Sequence, residues 1–195
     1  MPRAEARMFR EALIDIVRRL EQARQGGLLH AYVLIGGFAV AAWGLPRATE
    51  DIDFALDLGR TDAFPLADAL SGQYRAGAPD DPLAGVITLS VKVSGQAIPI
   101  QLLLLPRRWT SVLFDQAQPL HVLDCSVPVV SWQSLVLLKL YAGGPQDLID
   151  AERLLVIQRP DPVALRAMHT LAEPVGLSRA FTDLLARVAN ELQST

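Results

Sequence analysis

Residues 32 to 56 read YVLIGGFAVAAWGLPRATEDIDFAL: an apolar run closes on Gly36-Gly37, small residues follow, and Asp51 and Asp53 open the next apolar run. A diglycine after a short strand forces a tight turn into a helix. If residues 51 to 57 form a strand, side chains alternate between faces. Asp51, Asp53 and Asp57 then share one face, while Ile52, Phe54 and Leu56 take the other. Two carboxylates a strand period apart lie roughly 6 to 7 Å apart at the backbone. Their oxygens can converge on one hard cation or a pair of them, which points to phosphate chemistry.

A chain of 195 residues with 51% hydrophobic content can bury a full core. With a net charge of −3, no strong polyanion-binding field follows from the global charge, so any nucleic-acid contact is local. One cysteine, Cys125, excludes an intramolecular disulfide and a cysteine-based zinc cage. The N-terminal stretch MPRAEARMFREALIDIV carries charges throughout, and the longest apolar runs fall far short of the roughly 20 residues of a membrane helix. The expectation is a soluble, cytoplasmic protein with no membrane partner.

Apolar residues at helical spacing predict a packing helix over 3–24, ended by Gly26-Gly27. A strand at 32–35, a helix at 38–43, the carboxylate strand and a helix at 65–70 follow. Two β-rich runs, 86–93 and 97–105, flank Ser94-Gly95-Gln96 and predict a hairpin. Residues 121–123 add an edge strand, and GAPDDP at 77–82 is either a loop over the site or a simple connection. After Pro128 the pattern turns helical: 132–141, 145–157, 162–172 and 178–192, separated by GGP, RPDP and EPVG breaks. Strands first and helices after predict an α+β fold, with a core over 1–130 and a helical part over 131–195 packed on it.

The order GG, short helix, then R-x-T-x-D-x-D, carried by Gly36, Gly37, Arg47, Thr49, Asp51 and Asp53, resembles the signature of the DNA polymerase β-type nucleotidyltransferase superfamily. Within it, IGGFAVAAWGLPRATEDIDFAL is similar to the AbiEii/AbiGii toxin-like branch. The downstream run VVSWQSLVLLKLYAGGPQDLIDAERLL strengthens the likeness, because that branch has a lysine in an apolar helix followed by D-x-x-D. The matching segments, roughly 32–56 and 128–155, span about a quarter of the chain.

The resemblance implies a minimal nucleotidyltransferase fold, a mixed sheet with flanking helices, closed by the helical part. It implies Mg²⁺ or Mn²⁺ held by Asp51 and Asp53, and a nucleoside triphosphate supported by Gly36, Gly37, Arg47, Thr49 and Lys139. It further implies catalytic roles for Asp51, Asp53, Lys139, Asp147 and Asp150. The reaction would move a nucleoside monophosphate to a macromolecular hydroxyl, on a tRNA end or a protein side chain. The setting would be a toxin with an antitoxin protein as partner. A nucleotide- or partner-binding module of the same fold is the alternative.

Lys139 is one of two lysines against 16 arginines and stands inside SLVLLKLYA. A buried ammonium is costly unless paired, so it either snorkels to the surface or faces carboxylates and triphosphate. Asp147 and Asp150, at i and i+3, share a helix face, although Asp147 could simply complement the helix start after Pro145. The superfamily usually carries a third carboxylate on the strand after the hairpin, and the matching residue here is Gln101. Its amide oxygen can ligate a hard cation but brings no charge.

The other candidates are minor. His30, His121 and His169 have no metal spacing. Cys125 reads as an inert buried thiol. Trp109 beside Arg107-Arg108 reads as part of a solvated loop, with stacking on a base as the functional alternative.

Overall fold

The computed structural model describes residues 3–78 and 80–193. Its framework is one mixed seven-stranded sheet in the order β3-β4-β5-β2-β1-β7-β6. The strands are β1 (Ala31–Ile35), β2 (Ile52–Asp57), β3 (Gln73–Ala76), β4 (Gly85–Val93), β5 (Gln96–Leu104), β6 (Gln118–Val122) and β7 (Cys125–Val129). The carboxylate strand β2 is central: it runs antiparallel to β1 and parallel to β5. Ile52, Phe54 and Leu56 are buried, but so is Ala55, because the middle strand is covered on both faces.

Helix α1 (Arg3–Gln25) buries Phe9, Leu13, Ile16 and Leu20 and packs across β4, β5 and β7. Helix α2 (Gly36–Ala42) springs from the end of β1 and packs on β1 and β2. Helices α3 (Ala63–Ala69) and α4 (Thr110–Phe114) are short. The chain then ends in four helices, α5 (Trp132–Ala142), α6 (Pro145–Gln158), α7 (Pro162–Ala172) and α8 (Ser178–Gln193). Leu135, Leu154 and Phe181 from these helices join Phe54 and Leu34 of the sheet in one contiguous apolar cluster.

The β4–β5 hairpin is as the sequence predicts: Val93 pairs with Gln96, and Ser94 and Gly95 both take positive φ, the two-residue turn whose twist suits a hairpin. A second hairpin, β6–β7, turns through Leu123 and Asp124, also both at positive φ. Neither is a glycine, so the turn lacked its usual chemical marker, and a single edge strand at 121–123 was expected instead. The short edge strand β3 was likewise not read: its QYRA segment has no buried residue.

Trp109 corrects the solvated-loop expectation. It sits in a 3₁₀ turn spanning Arg107–Trp109, is fully buried, and packs against Tyr141 with ring centroids 5.0 Å apart. The Arg108 guanidinium lies 5.9 Å from the Tyr141 ring centroid. The indole therefore fills core, a larger gain for a bulky aromatic than a surface stacking role.

Candidate active site

The turn at the top of β1 is built for close approach. Gly36 has φ +66°, and a Cβ there would stand 2.0 Å from Asp53 Oδ2. A Cβ at Gly37 would stand 2.6 Å from Thr49 Oγ1 and 3.3 Å from Arg47 Nη2. The diglycine is thus what lets Asp53 and Thr49 pack against the β1–α2 turn.

Asp51, just before β2, and Asp53, on it, send their carboxylates into one cleft of ≈ 410 Å³, lined also by Gly36, Gln101, Lys139 and Asp147. Asp53 pairs with Gln101 across the parallel β2–β5 register. Gln101 Nε2 donates to Asp51 Oδ2 at 2.9 Å, and the Thr49 hydroxyl donates to Asp51 Oδ1 at 3.2 Å. Burial pushes the Asp53 carboxyl up to about 7, and the neighbouring Asp51 charge adds to the rise; Lys139 and Arg47 pull the other way. Two carboxylates crowded in this way repel when both are charged, and a proton or a cation relieves the repulsion.

The opposite wall comes from the α5–α6 hairpin. Gly143 ends α5 in the left-handed conformation, and Pro145 starts α6. This reversal lays the first turns of α6 against the end of α5. Lys139 Nζ donates to Asp147 Oδ1 at 2.7 Å and lies 3.2 Å from Asp150 Oδ2. Lys139 is 7% exposed and Asp150 is 1% exposed, so the lysine does not snorkel. Asp150 Oδ1 also accepts from Gln146 Nε2, and its Oδ2 stands 3.7 Å from Arg47 Nε.

The residues anticipated from the sequence thus take three places. Gly36, Asp51, Asp53, Gln101, Lys139 and Asp147 line the cleft. Gly37, Arg47 and Thr49 line an adjoining cleft on the other side of the turn, and Asp150 lies beneath Lys139. Asp57, at the far end of β2, accepts from the Gly59 N–H instead.

Two features of the cleft escaped the sequence. Its remaining wall is apolar: Leu103, Leu105, Leu138, Pro82 and Leu83. Tyr141 joins them, donating its hydroxyl to the Pro82 carbonyl at 2.8 Å. Pro82 and Leu83 therefore form part of the wall of the site. Tyr141 follows Lys139 by two residues at the end of an almost wholly apolar helix, and nothing in that spacing marked it.

Hard oxygen donors on one cleft wall suit Mg²⁺ or Mn²⁺. Among the described residues no group of three or more His, Cys, Asp or Glu side chains forms a cation cage. Asp51 and Asp53 would hold such a cation through two carboxylates, with less charge than three would supply, while Gln101 turns its amide nitrogen toward Asp51. Also among the described residues, no helix is long and apolar enough to cross a membrane.

The solution structure of antibiotic-resistance factor ANT(2'')-Ia aligns with 94% of this chain and 98% of its own, at 14% identity and a TM-score of 0.52. An antigenic nucleotidyltransferase-like protein from Paracoccidioides brasiliensis aligns over 92% of this chain and 93% of its own, at 16% identity and a TM-score of 0.49. No protein-family model and no curated protein matches the sequence. At such identity the common ground is the fold, a mixed sheet with flanking helices as found in nucleotidyltransferases, and it singles out no branch.

Proposed function

We propose that this protein transfers a nucleoside monophosphate from a nucleoside triphosphate to an acceptor hydroxyl, with a divalent cation held by Asp51 and Asp53 and supported by Gln101. The observation that carries the reading is the meeting of two crowded carboxylates at the start of β2 with a paired, buried lysine from α5 across a single cleft. When bound, Mg²⁺ or Mn²⁺ supplies charge neutralisation on the triphosphate.

Lys139 offers an ammonium to the charge that develops on the leaving pyrophosphate. Gly36 and Gly37 let the Asp53 and Thr49 side chains close on the β1–α2 turn, which sets the place of the carboxylate. Thr49 fixes the Asp51 carboxylate through Oδ1, and Gln101 fixes it through Oδ2, so its orientation is set before any ligand arrives. Arg47, through Asp150, ties the carboxylate loop to the lysine helix. Asp147 shares Lys139 with the substrate, and the triphosphate must draw the ammonium away from it.

The resemblance in 32–56 and 128–155 extends the proposal to a macromolecular acceptor, a tRNA end or a protein side chain, and to a toxin acting beside an antitoxin. A second reading has its own support. Gln101 has no charge, and its amide nitrogen is committed to Asp51, which suits a module of the same fold that binds a nucleotide without transferring it.

Incubation with each α-labelled nucleoside triphosphate, Mg²⁺ or Mn²⁺, and separate RNA and protein pools discriminates the two. Transferred label that Lys139→Ala depresses by about 2–4 kcal/mol of barrier supports the enzyme. Saturable metal-dependent nucleotide binding with no transfer under any pairing supports the module.

A further inference from the structure

We propose that the outward face of α6 is a self-association surface, through which two copies of this chain pair as an antiparallel, two-fold dimer. The face shares no residue with the carboxylate cleft, so the inference does not rest on the transfer reading.

The sequence of α6 sets the pattern. Ile149, Glu152, Arg153 and Val156 stand at i, i+3, i+4 and i+7, the spacing of one helix face. The core side of the helix is already filled by Asp150, Ala151, Leu154 and Leu155, all buried, so a second apolar stripe has no use within the chain. Yet Ile149 is 41% exposed, Val156 38% and Ile157 43%. These are half of the six large apolar side chains left exposed among the described residues. With Leu45, from the loop after α2, they line one groove of ≈ 540 Å³ together with Glu152 and Arg153. Apolar side chains gathered in one charge-rimmed patch mark a docking surface, where scattered ones do not.

The order of the residues identifies the occupant. From either end the face reads apolar, two intervening positions, a charged pair, two intervening positions, apolar. A two-fold axis that crosses the helix between residues 152 and 153 sets Ile149 opposite Val156 of the second copy and Glu152 opposite its Arg153. The same two contacts repeat on the other side of the axis, as an isologous interface requires. Apolar then meets apolar and acid meets base. A parallel pairing in register would instead set Arg153 against Arg153 and Glu152 against Glu152, which repel.

The two charges are ready for this contact. Arg153 is exposed and has no acidic partner among the described residues. Glu152 is engaged through one oxygen: its Oε1 accepts from Arg187 Nε at 2.8 Å, which steadies the carboxylate and leaves Oε2 for a second guanidinium. A partner of unrelated sequence has no reason to match the reversal along this face, whereas a second copy matches it by symmetry. One helix and one loop residue make a contact at the small end of specific interfaces, so the dimer forms on the order of 10⁻⁵ M. The ion pairs fix direction and register more than strength.

Sedimentation equilibrium on the full chain tests the pairing. The weight-average mass should rise from that of one chain toward that of two between about 1 and about 300 µM. Arg153→Glu brings acid opposite acid and Glu152→Arg brings base opposite base, so each variant should need about tenfold more protein to reach the same mass. Mixed in equal amounts, the two variants should regain association, because every acid of one chain then faces a base of the other. Val156→Asp, which leaves the contact of Glu152 with Arg187 in place, should weaken association as well. A wild type that stays monomeric over the whole range leaves the face to a different kind of partner and overturns the second copy. Association that Arg153→Glu and Val156→Asp leave unchanged puts the contact elsewhere, and a mixture no heavier than its separate variants overturns the antiparallel pairing.

Discussion

Asp150 places one carboxylate oxygen 3.2 Å from the Lys139 ammonium and 3.7 Å from Arg47 Nε, with 2% of its side chain exposed. A single buried anion thus joins the loop that leads into the carboxylate strand to the helix that carries the lysine. Asp150→Asn keeps the shape and removes the charge, leaving two cations short of a partner. The loss should fall near the lower end of about 3–5 kcal/mol, since Asp147 still pairs with Lys139. Asp147→Asn, at a carboxylate with 27% of its side chain exposed, should cost distinctly less. Urea denaturation of both variants measures the difference, and equal costs would remove Asp150 as the brace.

Gly36→Ala meets two obstacles, a left-handed backbone and Asp53 Oδ2 at 2.0 Å. Gly143→Ala meets only the first: its φ is +68° and its nearest atom is the Leu140 carbonyl oxygen at 3.8 Å. The Gly143 variant should lose about 1–2 kcal/mol. The Gly36 variant should lose more and should also lose any Mg²⁺-dependent rise in melting temperature, because the carboxylate must leave its place. An intact Mg²⁺ response in Gly36→Ala would separate the turn from the cation site.

The pH dependence follows from Asp53. Its carboxyl titrates at about 7 in the folded protein, against about 3.9 in an unfolded chain. Between these values the folded state holds a proton that the unfolded state has released. The stabilisation is fully present below the unfolded value and is lost as pH rises through about 7, with a slope of up to about 1.4 kcal/mol per pH unit. In chelator, wild type should therefore gain stability relative to Asp53→Asn as pH drops from about 8 to about 5. A difference between the two proteins that stays constant with pH would rule this out.

Gln101→Asp tests the cation site from the neighbouring strand. It removes the amide that donates to Asp51 at 2.9 Å and adds a third negative charge. The variant should melt lower than wild type in chelator, since the carboxylates repel. It should gain more than wild type from millimolar Mg²⁺, because a cation that binds only the folded state stabilises by mass action. Asp53→Asn should show no gain. Equal Mg²⁺ responses in all three proteins would make Gln101 an ordinary strand residue.

The legible elements were those with a local chemical marker. The β4–β5 hairpin announces itself through Ser94-Gly95, the α5–α6 break through Gly143-Gly144-Pro145, and α1 through its apolar spacing. The β6–β7 hairpin has only Leu123-Asp124 at its turn, and β3 is too short and too exposed to show alternation. Trp109 was misread because proximity to two arginines in sequence says nothing about which way an indole points.

The sequence by itself determined the fold class and singled out Asp51, Asp53 and Lys139 as candidates, because an alternating strand brings the two carboxylates to one side and an ammonium inside an apolar helix is costly unless paired. Only the tertiary structure decided how those residues divide. Gln101 meets Asp51 through the parallel register of two strands more than forty residues apart. Asp150 becomes a buried brace and Asp147 a cleft residue through the angle at which α6 returns on α5, and Arg47 turns to Asp150 in place of the cleft. Spacing along a chain sets which side chains share a face. Which faces then meet, and which group is left without water, depends on packing between distant segments.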